Sequence, residues 1–173
     1  MLFKLIISLI IIICSSLIGM IYANAFIERT KLLGDLISTL QMLETEIVYT
    51  ATPLPEMLTK IAQKSEGDIV KIFETTVNIL EKKEGYLFSE AWKKAIKEEM
   101  RETTLQARDI ALLISLGNNL GISDSADQVK HINLVREEIK RNYELSIILQ
   151  KKNTRLYRNL GVLLGITIVI IFF

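Results

Sequence analysis

At 173 residues, with a formal charge of +1 and a single cysteine, the chain has no basic surplus for a nucleic acid, no disulfide framework and no thiolate metal cluster. Half of it is hydrophobic, but unevenly so. Both ends are apolar, while residues 28–155 hold all 20 acidic side chains and all but two of the 21 basic ones.

Residues 5–26 carry no charge. As a helix they span about 33 Å, enough for a hydrocarbon core of about 30 Å. A cleaved signal peptide is the competing reading, with Lys4 as its basic start and Ala23-Asn24-Ala25 as its small-residue cleavage pattern. The run exceeds the usual apolar length of about 7–15 residues, which favours a retained anchor over residues 1–27.

A soluble helix continues from the anchor to about Tyr49. Leu33, Leu36, Leu40, Leu43 and Ile47 recur at alternating steps of three and four and form one apolar stripe. Pro53 disfavours a helical Thr52, so Thr52 is expected to cap a second helix that has Pro53 in first position and ends near Lys64. Ser65-Glu66-Gly67-Asp68 breaks the pattern. A third helix is expected over residues 68–83, with Ile69, Ile72, Phe73, Val77 and Leu80 inward and Gly85 as its stop. Ser89 is expected to cap a fourth, carrying Ala91, Trp92, Ala95, Ile96 and Met100. A fifth should run over residues 104–120 with Ile110, Leu113, Leu116 and Leu120 on its core face, before Gly121.

Ser125 and Gln128 fit a capping-box pattern for the sixth helix. No proline follows, and the next glycine is Gly161. The helix can therefore pass through Val129, Ile132, Val135, Ile139, Tyr143 and Ile147 and continue into the apolar end. Residues 156–173 make a short span of about 27 Å if Arg158 snorkels, with a re-entrant or interfacial helix as the other option. Arg29 and Lys31 follow the first apolar run, and Lys151, Lys152, Arg155 and Arg158 precede the second. The positive-inside rule places residues 28–155 in the cytoplasm. No stretch has strand period. The fold class is all-α: a bundle of about six helices flanked by N- and C-terminal transmembrane helices.

The search for chemistry finds no enzyme. His131 is the sole histidine, has no partner at catalytic or zinc spacing, and reads as a solvated side chain on an exposed turn. No glycine-rich phosphate loop occurs. Glu44 and Glu46 stand two apart, so they point to different faces of a helix and make a poor acid–base pair. No cofactor or metal site is expected.

The pattern Leu43-Glu44-Thr45-Glu46-Ile47-Val48-Tyr49, followed by Thr52-Pro53-Leu54-Pro55-Glu56, resembles the stage III sporulation protein AB (SpoIIIAB) family. The stretch Gly117-Asn118-Asn119-Leu120-Gly121, Gln128 and the terminal Leu156-Tyr157-Arg158-Asn159-Leu160-Gly161 extend that resemblance over the whole chain. The resemblance implies membership of the SpoIIIA complex of endospore-forming bacteria, which connects mother cell and forespore. It also implies a soluble domain similar to the F component of the type II secretion platform, a secretion-type ATPase neighbour, SpoIIIAA, and an outer forespore membrane location with the soluble domain in the mother-cell cytoplasm. The family supplies no catalytic residues. Its motif residues Glu44, Glu46, Tyr49, Thr52, Pro53 and Leu54 are the candidate partner contact, as a carboxylate face beside a rigid turn suits a basic patch. The plainer alternative has both glutamates solvated, with Tyr49 and Leu54 packing the first helix on the second. Gly117 and Gly121 would let two helices approach. The rival functions are an exported helical binding module, a membrane-associated enzyme using a carboxylate or His131, which lacks any nucleophile–base or metal constellation, and an anchor that only self-associates as a homo-oligomer.

Overall fold

Two helices of 48 residues, one at each end of the sequence, dominate the computed structural model, which describes residues 2–50, 52–122 and 124–172. The six helices are α1 (Leu2–Tyr49), α2 (Leu54–Lys64), α3 (Val70–Glu81), α4 (Phe88–Glu99), α5 (Ala107–Gly117) and α6 (Ser125–Phe172). Among the described residues there is no strand. The chain forms two compact units: Met1–Thr30 with Leu145–Phe173, and Lys31–Glu144.

In the first unit, the apolar stretches of α1 and α6 lie antiparallel. Their backbones touch at three glycines. A Cβ on Gly19 would stand 2.6 Å from the Tyr157 carbonyl oxygen, and one on Gly165 would stand 2.9 Å from the Ile12 Cα. Ser15 Oγ donates to the Gly161 carbonyl at 2.6 Å. The Tyr157 ring stacks against Tyr22 and Phe26, with centroids 5.9 and 5.7 Å away. Small residues at a close crossing and one interhelical hydrogen bond are what holds helices together where no water drives them. Ser8, Ser16 and Thr167 each donate to the carbonyl four residues back. The outer faces stay apolar and open, with Leu5, Leu9, Leu17, Ile21, Leu164, Ile170 and Ile171 exposed. Both helices are long enough and apolar enough to cross a membrane. The second is unbroken to Phe172, so its apolar end has no re-entrant turn among the described residues.

The second unit packs around Trp92, which is 1% exposed. Phe73 meets its indole edge-on at 5.3 Å and Phe88 stacks on it at 5.9 Å. The indole N–H donates to the Leu113 carbonyl at 2.7 Å. Leu33, Leu36, Leu40 and Leu43 of α1 are buried as their spacing requires, together with Leu58 and Ile61 of α2, Ile72 and Phe73 of α3, Leu113 and Leu116 of α5, and Ile132, Val135 and Ile139 of α6. Fully burying one such side chain contributes about 1.5–3 kcal/mol, so this cluster is the main source of the bundle's stability.

Helices α1 and α2 end at Tyr49 and Lys64 as expected, while other helix ends differ from the sequence expectations, each for a local reason. Pro53, not Thr52, is the cap of α2 (φ −55°, ψ 143°). Pro55 lacks the N–H that a Thr52 cap would need at its third helical position, and Thr52 Oγ1 instead accepts from Lys60 Nζ at 3.5 Å. Helix α3 starts at Val70, after a tight turn in which Val70 N–H meets the Gly67 carbonyl, and it ends at Glu81, with Lys83 in the left-handed region before Gly85. Helix α4 is capped at Leu87 rather than Ser89, because the Glu90 carboxylate accepts the Leu87 N–H at 3.0 Å. Helix α5 begins at Ala107 rather than near residue 104, since Asp109 takes the Gln106 N–H at 2.9 Å. At α6 the capping acceptor is Asp124, whose Oδ1 takes the Asp127 N–H at 2.8 Å. Gln128, freed from a capping box, accepts the Gly121 N–H at 3.0 Å.

Candidate docking surface

Helix α1 ends and helix α6 begins at the same end of the Lys31–Glu144 unit. The α1–α2 turn and the α5–α6 turn meet there. Gly121 sits at φ +76°, a conformation suited to glycine, and a Cβ on it would lie 3.0 Å from Leu54 Cδ2. Gly121 thus lets the second turn close over Leu54. Between the two turns is a shallow hollow of about 250 Å³, lined by Ile47, Thr50, Thr52, Leu54, Gly121 and Gln128 among others.

The candidate residues divide by what they touch. Tyr49 is 81% exposed, so it does not pack α1 on α2. Pro53 is exposed as well, while Thr52 and Leu54 are half-buried, and Leu54 packs against the core. Ile122, 76% exposed, adds a second apolar side chain from the opposite turn. A rigid proline turn flanked by an open tyrosine and an open isoleucine is a surface that costs little to order against a partner.

Neither glutamate is a free, solvated carboxylate. Glu44 reaches α6, where it accepts from Asn133 Nδ2 at 2.9 Å and from Arg136 Nη1. Arg136 in turn donates to Asn133 Oδ1 at 2.5 Å. Glu46 turns the other way, to α2, and pairs with Lys64 at 2.9 Å. The Lys64 hydrogen bond, above all, holds the Glu46 carboxyl below its ordinary 4.5. That support is present above 4.5 and lost as pH falls through the lowered folded value. So the i, i+2 spacing does send the pair to different faces, and each carboxylate ties α1 to another helix.

Residues outside the candidate set complete the picture. His131 is half-buried rather than solvated: its Nε2 lies 3.2 Å from the Ser115 carbonyl and 3.0 Å from Asn119 Nδ2, beside the end of α5. Asp109 is fully buried and accepts from Asn142 Nδ2 at 2.8 Å, joining α5 to α6. Asn142 falls in the series 132, 135, 139, 142, the three-and-four spacing of the α6 core stripe, and that position was the available signal. Gly117 does not bring two backbones together; it leaves a notch into which the Trp92 indole fits. Among the described residues no group of three or more His, Cys, Asp or Glu could hold a metal ion.

The family model described as stage III sporulation protein AB matches residues 4–173. Stage III sporulation protein AB of Bacillus subtilis (strain 168) is 27% identical over 168 residues, covering 97% of this chain and 98% of that relative. A solved structure described as stage III sporulation protein AB (SpoIIIAB) superposes with a TM-score of 0.66 at 27% identity, covering 72% of this chain and 98% of its own.

Proposed function

The chain belongs to the stage III sporulation protein AB family, and from that membership we propose that it is a non-enzymatic platform subunit of a secretion-like complex between mother cell and forespore. Residues 1–27 and 156–173 anchor it in the outer forespore membrane, and residues 28–155 form the mother-cell-side helical domain, akin to the F component of type II secretion. The single observation that carries this reading is the antiparallel apolar pair, closed at Gly19, Gly161 and Gly165 and open on its outer faces. A pair that buries its backbone contact and leaves its leucines outward suits lipid on all sides.

The adaptor role rests on the end of the bundle. Tyr49, Thr52, Pro53 and Leu54 supply the contact with the secretion-type ATPase SpoIIIAA, while Glu44 and Glu46, paired with Arg136 and Lys64, hold the turn in place from behind. A domain tethered by both its ends keeps a docked partner at high effective concentration beside the channel. Co-purification of the full chain in detergent with the cognate ATPase, at low and high salt, tests this. Binding that weakens with salt supports the adaptor. No binding by a folded chain sinks the ATPase role and leaves a self-associating anchor.

A further inference from the structure

Residues 145–173 contain no acidic side chain. Their four cations, Lys151, Lys152, Arg155 and Arg158, make no ion pair among the described residues, whereas Lys60, Lys64, Lys71, Arg108, Arg136 and Arg141 each hold a carboxylate. The spacing of 151, 155 and 158 puts three of them on one face of α6. With Gln150, Thr154 and Asn159 they line a single hollow. A second hollow shares Arg155 and Asn159 with the first and is continued by Leu156, Leu160 and Leu163. Cationic donors and an amide therefore sit at one end of the groove, and three leucines run from there toward the apolar end of the helix.

We propose that this groove binds an anionic phospholipid, with the headgroup phosphate among Lys151, Arg155, Arg158 and Asn159 and an acyl chain along Leu156, Leu160 and Leu163. Guanidinium forks and an ammonium match phosphate oxygens, and the adjoining leucines match the hydrocarbon that a free phosphate lacks. The groove is more than a topological signal. The positive-inside effect needs only charge near the membrane, but here the charges are gathered around one concavity whose apolar continuation fits the same molecule. The inference rests on the membrane reading above.

The test is lipid titration of the delipidated full chain in nonionic detergent, read by native mass spectrometry. Phosphatidylglycerol is expected to bind at least tenfold more tightly than phosphatidylcholine. The triple variant Lys151→Gln, Arg155→Gln, Arg158→Gln is expected to bind phosphatidylglycerol about a hundredfold more weakly, from the contribution of each basic residue near an anionic surface. Its fold is checked by Trp92 fluorescence. The control variant Lys93→Gln, Lys94→Gln, Lys97→Gln, on α4, should leave the preference intact. Equal binding of both lipids, full retention by the first variant, or equal competition by inorganic phosphate would each overturn the proposal. Extraction of the chain from cell membranes without detergent would separately overturn the membrane reading.

Discussion

Gly117→Ala should unseat the tryptophan at the centre of the bundle. A Cβ at this position would stand 2.1 Å from Trp92 Cδ1, 2.6 Å from Cγ and 2.9 Å from Nε1. The indole has nowhere to go: Phe73 and Phe88 pack against it and Leu113 holds its N–H. Overpacking of this kind costs about 1–3 kcal/mol. Displacing the indole also weakens a buried hydrogen bond that contributes about 0.5–1.5 kcal/mol. The better helix propensity of alanine returns at most about 1 kcal/mol, and less at the last residue of a helix. The net expectation is a loss of about 2 kcal/mol. Trp92 is the only tryptophan, so denaturant unfolding of the full chain in detergent, followed by intrinsic fluorescence, reads this site directly. The native emission should also shift to the red. A variant within about 0.5 kcal/mol of wild type, the usual scatter of a neutral substitution, with unshifted emission, would refute the close fit of indole to glycine.

Three further outcomes follow from other contacts. Glu44→Ala should cost about 1–3 kcal/mol, because it leaves Arg136 and Asn133 without their α1 acceptor; a double-mutant cycle with Arg136→Met should show coupling, and additive losses would contradict the pairing. Asp35→Asn should stabilise the chain at neutral pH: burial, and secondarily Glu66 and Asp68, outweigh Lys31 and push the Asp35 carboxyl above its ordinary 3.8, so its contribution is present below 3.8 and lost as pH rises through the folded value. The gain should vanish on acidification, and an unfolding midpoint at pH 7 no higher than wild type would show the sign to be wrong. Gly161→Val would place a Cβ 2.9 Å from the Ser15 carbonyl oxygen and 3.0 Å from the Gly19 Cα, both backbone, and should lower thermal stability in detergent by about 1–3 kcal/mol; Val162→Ala, on the exposed side, serves as the unaffected control.

The helices and their buried faces were legible in the sequence because they are periodic. The three-and-four spacing of Leu33, Leu36, Leu40 and Leu43 marks the stripe that α1 buries, and the absence of proline after Pro55 permits the long run of α6. The helix ends were less legible because each was decided by competition among neighbours. Thr52 is a good cap residue, but Pro55 removes a donor it would need; Ser89 and Ser125 lost to nearby carboxylates at Glu90 and Asp124. Of the candidate site, the turn follows from Thr-Pro-Leu-Pro punctuation, but the exposure of Tyr49 does not, since a tyrosine at a helix end suits packing on the next helix equally well. The tie between Glu44 and Arg136 joins residues 92 apart and leaves no local pattern. The Trp92 notch belongs to the same class, since Gly117 reads as a close approach of two helices until the indole beside it is known.

The adaptor claim is tested most directly by where the ATPase touches the chain. A photo-crosslinking amino acid placed at Tyr49, which is exposed at the end of α1, should yield an adduct with the secretion-type ATPase in sporulating cells. The same probe at Glu74, exposed on α3, should yield none. An adduct from position 74 but not from position 49, or none from either in cells that still form spores, would contradict docking at the α1–α2 turn.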